Sequence, residues 1–239
     1  VRWPRAGIAV LAMAITACTV AETRTPGDGS AAAAPPSGLP SASSIAEQSP
    51  AAVAAPVEIV VVGDSLSLGD STAFTADGLG EGSFVYWALG EDVRFVGGDA
   101  IPGATSTRMR DRLLKGSLVI PACDVLVLAL GTNDLGFGVA FDDTSQALVS
   151  LAEGGAAPRT MLLAIPPYGR EDQPPSVSYN QRLAMLASEQ GWEFVDAAVP
   201  ARDGGGWAEG MTSDGIHYSG DVVRLVGEVL ADALVSSPG

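Results

Sequence analysis

Five short runs of apolar, largely β-branched residues constrain this chain more than any other feature: Val57 to Val62, Val93 to Val96, Val125 to Leu130, Met161 to Ile165 and Glu193 to Val195. They recur at intervals of about thirty residues. A strand with one wet face alternates apolar and polar residues, whereas a continuous run is buried on both faces. A sheet achieves that when its strands are parallel and crossover helices cover both sides. The pattern therefore predicts an α/β sandwich.

The segments between the runs carry helical spacing. Residues 104–114 place Met109 and Leu113 four apart behind Thr105 as a cap, and Tyr179, Leu183, Leu186 and Ala187 form a stripe that stops at Gly191. A final helix puts Val222, Val226, Val229, Leu230, Ala233 and Leu234 on one face and Asp221, Arg224, Glu228 and Asp232 on the other, with Ser219 placed to cap. Glycines interrupt any period between Leu66 and Asp92, which reads as loop with some short helix.

The N-terminal part has a different character. Arg2 and Arg5 precede an apolar run from Ala6 to Ala17, which reads as an export signal too short to span a bilayer comfortably. The run ends in Ile15-Thr16-Ala17-Cys18, similar to the lipobox of bacterial lipoproteins, in which the cysteine is acylated and becomes the mature N-terminus. An ordinary cleaved signal is the alternative, and an uncleaved anchor a third. The reading divides the chain into a signal peptide at 1–17, an Ala/Pro/Ser-rich tether at 18–56 and a folded domain at 57–236. With Cys18 lipidated, Cys123 is left as a small buried residue before a strand, without a disulfide. The expected location is the extracytoplasmic face of a membrane, with the lipid on Cys18 as anchor, or else the medium if the protein is secreted.

Composition excludes several functions. Thirteen Lys and Arg against 28 Asp and Glu give a net charge of −15, which leaves no basic surface for nucleic acid. The single histidine, His217, excludes a metal site built on paired imidazoles.

That histidine sits in Asp214-Gly215-Ile216-His217, just before the last helix. A carboxylate at this spacing can bond one imidazole nitrogen and leave the other facing a nucleophile. The first apolar run leads into Gly63-Asp64-Ser65-Leu66 and the third into Gly131-Thr132-Asn133-Asp134, so a hydroxyl and an amide leave the carboxyl edge of a parallel sheet, where such sheets build their sites. Ile101-Pro102-Gly103-Ala104 follows the second run, and its glycine lets backbone N–H groups approach a ligand. Each segment alone is also a sound turn sequence.

Together, and in this order, the four segments resemble the blocks of the SGNH hydrolases, also called the GDSL esterase/lipase family. The resemblance covers about residues 57–236 and implies a three-layer α/β sandwich around a five-stranded parallel sheet of flavodoxin-like order 2-1-3-4-5. It also implies that Ser65 attacks an ester carbonyl, His217 shuttles the proton and Asp214 orients the imidazole. The backbone N–H groups of Ser65 and Gly103 and the Asn133 amide would hold the oxyanion. The chain supplies nucleophile, base and electrophile, so no cofactor or metal is called for. Asp134 is expected to support the Asn133 loop, Ser67 to cap the following turn, and Trp207 with Met211 to line a pocket or pack. The function expected is a serine esterase acting on short-chain or carbohydrate O-acyl esters at the cell envelope, its partners an acylated glycan or lipid and the membrane. An O-acyltransferase with the same triad, or a non-catalytic glycan-binding lipoprotein, are the alternatives.

Overall fold

The computed structural model describes residues 55–168 and 176–236. The expected signal peptide, Cys18 and nearly all of the tether lie outside the described residues. Five parallel strands, β1 (Val57–Gly63), β2 (Val93–Ala100), β3 (Val125–Ala129), β4 (Arg159–Leu163) and β5 (Glu193–Val195), form one sheet in the order β2-β1-β3-β4-β5. The expected order is the observed one.

Successive side chains of a strand point to opposite faces, and this chain makes both faces apolar. Ile59 and Val61 of β1 and Val125 and Val127 of β3 pack with Val222, Val226, Leu230 and Leu234 of helix α7 (Gly220–Val235) and with Phe84 and Val85 of the short helix α2 (Phe84–Ala88). Val60, Val62, Leu126 and Leu128 face the other way, against Met109 of α3 (Ser106–Leu114), Leu148 and Leu151 of α5 (Phe141–Gly155), and Leu183 and Leu186 of α6 (Ser176–Gln190). Two further short helices, α1 (Ser65–Leu68) and α4 (Thr132–Phe137), leave the sheet at the carboxyl ends of β1 and β3. Among the described residues no helix is long and apolar enough to cross a membrane, and Cys123 is a free, buried thiol.

The differences from the sequence reading are local. Strand β2 runs on past Val96, because a bulge pairs Ile59 with Phe95 and Val60 with Gly97, and the two glycines carry the chain through to Ala100. The β4 ladder begins two residues earlier than expected and ends at Leu163. Ser219 precedes α7 as expected, but its hydroxyl donates to the Gly210 carbonyl at 2.6 Å instead of capping the helix. A two-residue antiparallel hairpin, β6 (Arg202–Asp203) with β7 (Gly206–Trp207), has no periodic signature and was not expected.

The bulge depends on Gly98, whose φ is +140° and where a Cβ would lie 1.9 Å from the Val61 carbonyl oxygen. Gly98→Ala should therefore lower the urea midpoint by the equivalent of about 3 kcal/mol or more. Gly90→Ala, with nothing within 4 Å of the added methyl, should stay within about 0.5 kcal/mol of the parent.

Candidate active site

The sheet order reverses between β1 and β3, and the loops leaving these neighbours diverge to either side, opening a crevice at the carboxyl edge. Ser65 stands at the head of α1, immediately after β1. Asp64 caps that helix, its Oδ1 accepting the Leu66 N–H at 2.9 Å. Ser67, expected to cap the following turn, lies inside α1, is fully buried, and its hydroxyl has no hydrogen-bond partner among the described residues.

His217 reaches Ser65 from the loop before α7. Its Nε2 lies 2.9 Å from Ser65 Oγ, and its Nδ1 lies 2.7 Å from Asp214 Oδ2. An ionised carboxylate only accepts, so the ring proton belongs on Nδ1, and Nε2 is left as acceptor for the serine hydroxyl. Asp214 Oδ1 also takes the backbone N–H groups of Ile216 and His217, both at 2.8 Å. Against burial, which would raise it, the bonds from the His217 ring and from the two amides hold the Asp214 carboxyl well below the usual range. The loop is pinned from behind by Trp207, whose indole N–H donates to the Gly215 carbonyl at 3.0 Å and whose ring meets Tyr218 edge to face. Trp207 and Met211 thus pack at the margin of the core.

Asn133 is not bonded to Ser65 directly. Its Nδ2 donates to Asp64 Oδ2 at 2.8 Å, so one buried carboxylate ties the first turn of α4 to the turn that carries the serine. An amide nitrogen has two hydrogens, and the second remains for a ligand. Asp134, fully buried, accepts from Ser106 N–H at 2.9 Å, from the Ser106 hydroxyl and from Thr144 Oγ1 at 3.1 Å. It joins the Asn133 loop to the head of α3, as expected of a supporting residue.

Gly103 lies three residues before Ser106 in the loop from β2 to α3, and the Ile101 N–H anchors that loop to the Gly63 carbonyl at 3.3 Å. Among the described residues neither the Ser65 nor the Gly103 N–H donates a hydrogen bond. Two free backbone donors and one half-used amide therefore stand at one sheet edge, beside a serine bonded to an imidazole. Such a set can attack a carbonyl carbon and hold the charge that develops on its oxygen.

Protein-family models place residues 61–225 in the GDSL-like lipase/acylhydrolase family, a span that includes Ser65, Gly103, Asn133, Asp214 and His217. The chain belongs to this family. It is accordingly a hydrolase acting on ester bonds. Among solved structures, GDSL relatives share its fold. A catalytic mutant of an acetylxylan esterase from Geobacillus stearothermophilus aligns with a TM-score of 0.59 at 17% identity, over 78% of this chain and 97% of that one. TesA aligns at 0.56 and 25% identity, over 74% and 97%. A GDSL-like lipase from Bacteroides thetaiotaomicron aligns at 0.54 and 20% identity, over 77% and 93%. Comparison with curated proteins gives no match.

Asp64 is the residue that the sequence reading passed over, having treated it only as part of a turn. Burial raises its carboxyl to about 6, against the hydrogen bonds from Leu66 and Asn133. Its folded value lies above the unfolded one, so the folded state holds the proton more tightly. This group's contribution to stability is full below the unfolded value of 3.8 and is lost as pH rises through about 6. The difference corresponds to about 3 kcal/mol. Asp64→Asn does not titrate, so urea melts of both proteins between pH 4 and 8 should show their stability gap moving by about 2–3 kcal/mol in the variant's favour. A gap independent of pH would contradict the burial of a charge at this point.

Proposed function

We propose that this GDSL hydrolase is a serine esterase that removes short acyl groups, carbohydrate O-acyl groups among them, through an acyl-enzyme. The observation that carries the reading is the hydrogen-bonded line from Ser65 Oγ through His217 to Asp214 Oδ2, with bonds of 2.9 and 2.7 Å.

In the first half-reaction the Ser65 oxygen bonds to the ester carbonyl carbon as its proton passes to His217 Nε2. The carbonyl oxygen takes up negative charge against the N–H groups of Ser65 and Gly103 and the Asn133 amide. Asp214 stabilises the imidazolium and keeps the ring in the required tautomer. Collapse breaks the bond to the leaving oxygen, which takes the proton from His217, and the acyl group stays on Ser65. Water repeats the sequence: its proton goes to His217, its oxygen bonds to the acyl carbon, and the Ser65 oxygen recovers the proton as the carboxylic acid leaves.

Two features support the substrate class. A cavity of about 330 Å³ adjoins the Ser65–His217 pair, and its lining sets Asp70 and three glycines beside Leu66, Tyr218 and Val223, room for a compact ester with a polar part. One structural neighbour is an acetylxylan esterase, and that likeness supports the carbohydrate part of the reading. On the same reading residues 1–17 export the chain, Cys18 takes a lipid, and residues 18–56 hold the enzyme at the envelope, where acylated glycans and lipids are found.

Kinetics on p-nitrophenyl acetate and on acetylated xylan test the roles. Ser65→Ala should lose on the order of a million-fold in kcat. Asn133→Ala, deprived of one oxyanion donor, should lose roughly a hundred- to a thousand-fold. A loss below about tenfold in either folded variant would remove that residue from the mechanism.

A further inference from the structure

The glycine-rich stretch that follows Ser65 forms one wall of the cavity beside the triad. Ser65, Asp70, Gly82 and His217 are among the residues that line its roughly 330 Å³, whereas Gly103 and Asn133 do not take part. This fixes which half of an ester the cavity receives. With the carbonyl oxygen turned toward Gly103 and Asn133, the leaving oxygen must face His217 Nε2, which protonates it. The cavity on the His217 side is therefore the site of the alcohol.

Asp70 stands in that wall, exposed, with one carboxylate oxygen held. Its Oδ1 accepts the Gly82 N–H at 2.7 Å. Gly80 and Gly82 press against the same carboxylate so closely that a Cβ would lie 2.1 Å from Oδ1 at Gly80 and 2.8 Å at Gly82. Among the described residues Oδ2 accepts no hydrogen bond, Asp70 forms no ion pair, and neither lysine nor arginine lines the cavity. An unshared carboxylate oxygen accepts O–H donors strongly, repels phosphate- or carboxylate-bearing alcohols, and gives nothing to a plain hydrocarbon.

We infer that this cavity is the leaving-group subsite for a polyhydroxylated alcohol, a sugar ring, and that Asp70 is its specificity-determining residue, accepting hydrogen bonds from hydroxyls adjacent to the ester. The inference rests on the esterase reading and narrows it to esters whose alcohol carries free hydroxyl groups. Asp70 is exposed in the cavity, so its free oxygen is hydrated. A hydroxylated ring that covers it replaces that water with its own O–H donors, whereas an alcohol without hydroxyls displaces the water and offers nothing in return.

The test compares kcat/KM for three acetates: a mono-O-acetylated methyl glucoside, cyclohexyl acetate, which has the ring without the hydroxyls, and acetylcholine. The wild type should prefer the sugar ester to each of the others by about tenfold or more. Asp70→Ala should cut the sugar-to-cyclohexyl ratio about tenfold, mainly through KM of the sugar ester. Asp70→Asn keeps an acceptor for the Gly82 N–H, so the wall stays in place, and should cut the ratio by a smaller factor. Circular dichroism and thermal melting establish that both variants are folded. A ratio unmoved in Asp70→Asn and in folded Asp70→Ala, or a wild-type preference for acetylcholine, would overturn the subsite. Wild-type inactivity on all three acetates would overturn the esterase reading beneath it.

Discussion

The active-site edge is organised by the buried carboxylate of Asp64. One oxygen caps the helix that presents Ser65, and the other accepts the side chain of Asn133 from the adjoining strand's loop. Two elements distant in sequence are thereby held in register by a single group that is only 1% exposed. Asp134 extends the arrangement one loop further, since the same buried carboxylate takes the hydroxyl and N–H of Ser106 and the hydroxyl of Thr144. The loops that carry Ser65, Asn133 and Gly103 are thus joined through two buried acids. A donor that must meet a developing charge gains from being fixed beforehand, because no reorganisation is then required during the reaction. The cost is visible in the same place: burial raises the Asp64 carboxyl to about 6, so at neutral pH the fold carries a charge it would be more stable without. Such local expense is common where geometry serves a site.

His217 and Asp214 are built differently. The side chains of both are 46% exposed, and their positions come from a short loop in which Asp214 Oδ1 collects two backbone N–H groups and Trp207 braces the Gly215 carbonyl. An exposed hydrogen bond of this kind contributes little to stability, since water competes for both partners. Its value here is orientation. The half-exposed imidazole is bonded to the Ser65 hydroxyl and lines the cavity with it, a position from which it can pass a proton to a departing alcohol and later take one from water.

Much of this was legible in the residues. Continuous apolar runs such as Val57 to Val62 could be buried on both faces only in a covered parallel sheet, and the alternation of Ile59 and Val61 with Val60 and Val62 between two helical layers follows from that. The residues expected at the site fall at one sheet edge for the same reason: each follows a strand or precedes the last helix. What the sequence hid depends on contacts between distant segments. Gly97 and Gly98 look like a strand end, yet Gly98 lies against the Val61 carbonyl and continues β2 through a bulge. Ser219 is placed to cap α7 but finds the Gly210 carbonyl first, and Ser67, which reads as a cap for the turn after it, is buried inside α1 instead. The irregular glycines between Leu66 and Asp92 hide a wall, because the period they break is replaced by close approach between Asp70, Gly80 and Gly82. Local propensity carries no signal for such pairings.

The central claim is that Ser65 is a nucleophile activated by His217, and covalent labelling tests it directly. The folded domain, beginning near Val57, would be exposed to a fluorophosphonate and analysed by intact-protein and peptide mass spectrometry. The account predicts one adduct, on Ser65, and its loss in folded His217→Ala. A folded wild-type domain that takes no label on Ser65, or an adduct that forms equally well without His217, would contradict it.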